Sequence, residues 1–263
     1  MRKIQLFALF IALGLASACK SEEVNPEQNV TSTLAPSADL LLASATLAGA
    51  NEVPAVTTTA TGTATGSYNK TSKILNLNVT YAGMTPTAWH IHNAASGVNG
   101  AVIFNLINSS NTTIASKFPT PFNYSTPLAL AADQETNLLA GNNYVNIHSA
   151  KNPGGEIRGQ LALKASTAQG TVTGKFNNST KILTLQVTYT GLTPTMWHIH
   201  KGAVGVAGPV VLDLGTTFTS PFNFSTSALT AEQEADLKAG LFYVNIHTIA
   251  VPSGEIRGQL TVK

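Results

Sequence analysis

The feature that most constrains this chain is that it repeats itself. Thr85-Pro86-Thr87-Ala88-Trp89-His90-Ile91-His92 returns as Thr193-Pro194-Thr195-Met196-Trp197-His198-Ile199-His200, an offset of 108 residues. Pro121-Phe122-Asn123-Tyr124-Ser125-Thr126 returns as Pro221-Phe222-Asn223-Phe224-Ser225-Thr226 at 100, and Tyr144-Val145-Asn146-Ile147-His148 as Tyr243-Val244-Asn245-Ile246-His247 at 99. Self-similarity of this extent means one folding unit used twice, and 263 residues suffice for two domains that each bury a core. The shrinking offset places the length difference between Asn105 and Lys117, where Asn108-Ser109-Ser110-Asn111 reads as a loop.

The repeated segments alternate with period two. Leu75, Leu77, Val79 and Tyr81 share one face of a strand, as do Leu183, Leu185, Val187 and Tyr189 in the second copy, which is the pattern of half-buried antiparallel strands. Turn residues recur at short intervals, as in a sandwich or barrel. Residues 131–140 and 230–239 read as one short helix per copy, stopped by Gly141 and Gly240. Thr230 can cap its helix with Gln233 three residues on, whereas Ala131 cannot. The expectation is an all-β chain of two tandem antiparallel β-sandwich or barrel domains, each with one short helix.

The copies differ at their starts. Ala45-Thr46-Leu47-Ala48-Gly49-Ala50-Asn51-Glu52-Val53-Pro54 opens copy one, and copy two has no such segment. Copy two is therefore one strand short, or the end of copy one continues into it. Boundaries are expected at 44–164 and 165–263. Ahead of them, Met1-Arg2-Lys3, the apolar run 4–15 and Ala16-Ser17-Ala18-Cys19 follow the charged, apolar, small-residue order of a secretory signal, 1–18. The sole cysteine directly after it resembles the lipidated residue of a bacterial lipoprotein, so residues 19–43, with Pro26, Pro36 and much Asn, Thr and Ser, read as a lipidated flexible tether. Export across the inner membrane and anchoring through Cys19 in the cell envelope, at the outer membrane or cell surface, are expected. Without Arg2 and Lys3 the chain carries equal numbers of basic and acidic residues and no basic cluster, which argues against nucleic acid as a partner.

All six histidines lie in the repeated motifs. Residues two apart on a strand point the same way, so His90 and His92 share a face opposite Trp89 and Ile91. Tyr144, Asn146 and His148 oppose Val145 and Ile147, and Glu156, Arg158 and Gln160 oppose Ile157 and Leu161. If these segments neighbour one another in a sheet, His90, His92, His148, Tyr144, Asn146, Glu156 and Arg158 form one polar patch. His198, His200, His247, Tyr243, Asn245, Glu255 and Arg257 repeat it. Three imidazoles suit Zn or Cu and leave a coordination position open; the alternative is histidines that only hydrogen-bond neighbours on a solvated face. The spacing of Glu156 and Arg158 on one strand face suggests an ion pair. No phosphate loop, nucleophile elbow or His-Glu-x-x-His occurs, and no catalytic residue is assigned.

Together, Leu47-Ala48-Gly49-Ala50-Asn51-Glu52-Val53-Pro54, Trp89-His90-Ile91-His92, Tyr144-Val145-Asn146-Ile147-His148 and Pro153-Gly154-Gly155-Glu156-Ile157-Arg158-Gly159-Gln160-Leu161 resemble the CHRD domain, named from chordin and found in many microbial secreted proteins. The resemblance implies an immunoglobulin-like β-barrel or sandwich and little about activity. The His-x-His strand is also similar, over a few residues, to that of copper-zinc superoxide dismutases. The resulting expectation is a membrane-anchored extracytoplasmic binding or structural protein with a protein or glycan ligand. The alternative is a metalloprotein with one three-histidine Cu or Zn site per domain and dismutase-like redox chemistry.

Overall fold

A computed structural model describes residues 26–106 and 118–263. The leader, Cys19 and the loop at 108–111 lie outside the described residues. The chain is all-β with two short helices, in two antiparallel domains.

Domain 1 is built from β2 (Leu40–Ala48), β3 (Thr61–Asn69), β4 (Ile74–Ala82), β5 (Pro86–Asn93), β6 (Ala101–Asn105), β7 (Phe122–Ser125), β8 (Asn143–Ser149), β9 (Ile157–Gln160) and β10 (Ala162–Ala165), with α1 (Ala132–Leu139) between β7 and β8. They form one curled sheet in the order β6-β5-β8-β9-β2-β3-β4-β7, with β10 also on β2. The alternating apolar positions face inward. Leu75, Leu77 and Val79 of β4 pack with Trp89 and Ile91 of β5 and with Val145 and Ile147 of β8. Trp89 is fully buried, with Phe122 and Phe118 rings at 4.8 and 5.5 Å.

Domain 2 repeats these elements as two antiparallel sheets, with β11 (Gln169–Asn177), β12 (Leu183–Thr190), β13 (Met196–Lys201), β14 (Val210–Asp213), β15 (Phe222–Ser225), α2 (Ala231–Lys238), β16 (Phe242–His247), β17 (Ile256–Gln259) and β18 (Thr261–Val262). Thr230 caps α2 as its sequence suggests: Thr230 Oγ1 accepts from the Gln233 amide at 3.2 Å, and Gln233 Oε1 accepts from the Thr230 amide at 3.0 Å. Trp197 takes the place of Trp89 in a second, separate core.

The first strand of domain 2 lies at the other end of the chain. β1 (Glu27–Leu34), in the stretch expected to be a flexible tether, pairs along its whole length with β11 and through Val30 and Thr31 with β18. Ala35 then exchanges both backbone hydrogen bonds with Arg257, at 3.1 and 3.0 Å. Each contact has its twin in domain 1. Leu34 stands opposite Gly170 as Leu47 stands opposite Gly62, and Ala48 pairs with Arg158 as Ala35 does with Arg257. Domain 2 is thus not one strand short, nor does copy one run on into it; residues preceding copy one close it. The tether expectation is corrected for a physical reason. Asn29, Thr31 and Thr33, which made the segment look solvated, occupy the outward positions of an alternating strand, while Val30 and Leu34 are fully buried in the domain 2 core. The tether's expected end at residue 43 is corrected too, because β2 begins at Leu40 and Leu41–Ser44 pair with β10.

Candidate metal centre

Antiparallel register brings the polar residues together. β8 lies between β5 and β9, with His90 opposite Asn146, His92 opposite Tyr144, and Asn146 in turn opposite Arg158. β16 does the same between β13 and β17, pairing His198 with Asn245, His200 with Tyr243, and Asn245 with Arg257. On these faces one ring nitrogen from each of His90, His92 and His148 falls within 4.8 Å of the others, and His198, His200 and His247 match them.

Backbone carbonyls set which nitrogens are free. His92 Nδ1 lies 2.9 Å from the Gly100 carbonyl and His148 Nδ1 lies 3.0 Å from that of Pro153. A carbonyl can only accept, so both Nδ1 atoms carry the proton and both Nε2 atoms present a lone pair. His148 Nε2 faces His90 Nδ1 at 3.0 Å. His92 Nε2 is buried with no hydrogen-bond partner. In domain 2 the carbonyls belong to Gly208 and Pro252, both at 2.9 Å, the facing pair is His198 Nδ1 and His247 Nε2 at 3.2 Å, and His200 Nε2 is again buried without a partner. Three ligands each 2.0–2.1 Å from one zinc stand about 3.3–3.6 Å from one another, so a closure of up to about 1.5 Å at the widest pair would bring the triad to bonding distance. Rings fixed through their second nitrogen by a carbonyl are the usual support of histidine ligands. The residues present therefore fit a metal ion.

Electrostatics agree. Burial pushes His90 down to about 4, helped by His148 and His92. Burial also lowers His92, against the Gly100 carbonyl and with help from the Arg158 charge, and lowers His148 against the Pro153 carbonyl. His198 and His247 shift down for the same first reason, with Asp213 opposing the shift at His198. Neutral imidazole is the form that binds metal.

The remaining polar-face residues build the walls. Tyr144 stacks on His92 with ring centroids 4.9 Å apart and planes 11° from parallel, and Arg158 lies over the Tyr144 ring at 4.6 Å. Tyr243 and Arg257 reproduce this on His200, at 5.1 and 3.8 Å. Tyr144 and Tyr243 hydroxyls accept from the Gly100 and Gly208 amides, steadying the loops whose carbonyls hold His92 and His200. Asn245 donates to the Ser253 carbonyl at 3.1 Å, and Asn146 is buried beside Gly155.

The Glu156–Arg158 ion pair is not formed. Arg158 donates to the carbonyls of Asn51 and Val98 and to Asn99 Oδ1. Glu156 precedes β9 and accepts from Thr58 Oγ1 at 2.6 Å; burial pushes its carboxyl up, but hydrogen bonds from Ser149, Thr58 and Asn152 and the Lys151 charge hold it below its ordinary value. Glu255 likewise accepts from Ser166 at 2.6 Å and Thr248 at 2.8 Å. Both carboxylates brace loops.

Sequence reasoning gave no role to Glu52, which is 6% exposed, with Oε1 lacking a partner. Burial pushes it up to about 7, and Arg158 opposes this. Gly155, at φ +133°, leaves the space that the Glu52 carboxyl and the Asn146 amide occupy: a Cβ there would stand 2.8 and 2.6 Å from them. Only the motif Gly49-Ala50-Asn51-Glu52-Val53-Pro54, absent from copy two, signalled it. Asp213, opposite His198 where domain 1 has Asn105 opposite His90, was also missed.

The CHRD domain model matches residues 43–161 and 163–260. The chain belongs to the CHRD domain family. Both CHRD domains carry the triad on two corresponding strands, β5 and β8 or β13 and β16, and the match to the second starts at 163, so the strand that completes this CHRD domain, β1, stands apart from it in sequence. No curated protein matches the chain.

Proposed function

We propose that this chain is a lipid-anchored extracytoplasmic binding protein whose two CHRD domains each hold one Cu or Zn ion on three histidines. The observation that carries the reading is the buried, partnerless Nε2 of His92 and of His200, each facing two further imidazole nitrogens. A buried acceptor without a partner costs about 1–3 kcal/mol, and a metal ion satisfies it in both domains. Three imidazoles with no thiolate or carboxylate in the set suit Zn or Cu and leave a position for an external ligand.

The test is elemental analysis of purified mature protein with thermal unfolding. Two ions per chain are expected, falling to one in His92→Ala. Metal at 100 times its Kd should add about 2.7 kcal/mol of stability. Absence of stoichiometric metal after incubation with Zn and Cu, with unchanged unfolding, refutes the metal reading. Anchoring is tested separately: Cys19→Ser should move the protein out of the membrane fraction or leave it unprocessed, because multiple acyl chains hold a protein at a membrane and their loss frees it. Membrane retention of a processed Cys19→Ser protein refutes it.

A further inference from the structure

In each triad two of the three rings are fixed through their second nitrogen by a backbone carbonyl. Gly100 and Pro153 hold His92 and His148, and Gly208 and Pro252 hold His200 and His247. The third ring has no such carbonyl. His90 and His198 turn Nδ1 toward Nε2 of His148 and of His247, at 3.0 and 3.2 Å, which leaves their own Nε2 on the far side of the ring. Among the described residues nothing hydrogen-bonds to either of these Nε2 atoms.

The two copies differ beside this unsupported ring. β13 lies between β16 and β14, so with Nδ1 of His198 turned to His247 on β16, the other flank of the ring is that of β14. The residue directly opposite His198 on β14 is Asp213. In domain 1 β5 lies between β8 and β6, and the residue opposite His90 on β6 is Asn105. Directly opposite residues share a face with Cβ atoms about 4.5–5.5 Å apart, and the Asp213 charge already acts on His198. Asp213 Oδ1 accepts from the Gly215 amide at 2.7 Å, which steadies the side chain and leaves Oδ2 available.

An imidazole that gives its Nδ1 lone pair to a cation carries its proton on Nε2. Histidine ligands are supported by an acceptor at that second nitrogen, and loss of the acceptor typically lowers metal affinity about 10–100-fold. A carboxylate accepts about twice as strongly as a neutral oxygen does. We propose that Asp213 is a positioning residue of the domain 2 centre, accepting from His198 Nε2–H when Nδ1 holds the ion, and that it gives this centre an affinity which Asn105 does not give the centre of domain 1. The proposal rests on the metal reading above.

Competition for zinc between the full mature chain and a chromophoric chelator tests it, one centre at a time: His92→Ala leaves the domain 2 centre and His200→Ala that of domain 1. In the His92→Ala background, Asp213→Asn should weaken zinc binding tenfold or more. Asparagine can still accept from the Gly215 amide, so the end of β14 is kept. In the His200→Ala background, Asn105→Asp should tighten binding tenfold or more, a gain that a merely structural role would not produce. Both changes should persist at about 0.5 M salt, where a charge acting only at a distance is screened. Unfolding midpoints of the metal-free variants check that each is folded. If neither single-centre protein binds zinc, the metal reading falls and this proposal with it. Zinc binding that is indifferent to Asp213→Asn or to Asn105→Asp, or changes that vanish in high salt, overturn this proposal alone.

Discussion

Leu34→Ala should destabilise the domain from which it is most distant in sequence. Leu34 precedes domain 1, yet its side chain is fully buried in the domain 2 core between β11 and β17: its methyl groups lie 3.2 and 2.9 Å from where a Cβ on Gly170 and on Gly258 would stand. Truncating a fully buried leucine costs about 2–5 kcal/mol. β1 lies between β11 and β18, with no alternative strand to fill the space, so the upper half of that range applies. For a domain of this size each kcal/mol moves Tm by about 4–8 °C, so a fall of at least ~10 °C is expected. The chain has two tryptophans, the fully buried Trp89 in domain 1 and Trp197 in domain 2, which makes the assay domain-specific. In a Trp89→Phe background the emission of Trp197 reports domain 2 alone, and in a Trp197→Phe background Trp89 reports domain 1. Leu34→Ala should lower the Trp197 transition and leave that of Trp89 within a degree or two. Leu47→Ala, its twin on β2, should reverse the pattern. A Leu34→Ala protein whose Trp197 transition is unmoved, or whose Trp89 transition moves instead, refutes the assignment of β1 to domain 2.

Two further predictions concern the segment around Glu52. Its carboxyl is raised from 4.5 to about 7 by burial, so between those values the folded state holds a proton that the unfolded chain has lost. Glu52 should therefore contribute a loss of stability of up to about 3 kcal/mol as pH rises through this window, while the lowered His90, His92 and His148 contribute a gain below about 6.5, so the Glu52 part is read only as a difference from a variant that lacks it. The difference in the Trp89 transition between wild type and Glu52→Gln should shift between pH 5 and pH 8 against the wild type by that amount; a difference that is the same at both pH values refutes the assignment. Gly155→Ala places a Cβ against the Asn146 amide and the Glu52 carboxyl at a φ of +133° and should cost about 1–3 kcal/mol in the same assay. Gly141→Ala, at φ +73° with nothing within 4 Å, should cost less; equal losses would mean that the crowding at Gly155 is not felt.

How much of this was legible in the amino-acid order follows the range of the forces involved. Period-two alternation is a property of a single strand, so the inward face of β4, the outward face of His90 and His92, and the placing of Tyr144, Asn146 and His148 on one side of β8 could be read residue by residue. Duplication multiplied that signal, because every histidine recurs at a matched position. Strand pairing is different. An antiparallel edge accepts any strand of suitable length and pattern, and Thr33-Leu34-Ala35 repeats Thr46-Leu47-Ala48 too briefly to say that it closes a domain beginning more than a hundred residues later. Burial of Glu52, the choice of hydroxyls over Arg158 by Glu156, and the carbonyls of Gly100 and Pro153 that leave one nitrogen free on His92 and on His148 belong to the same class. Each depends on loops meeting across the sheet. Local sequence determines which way a side chain points, and only the assembled fold decides what it meets.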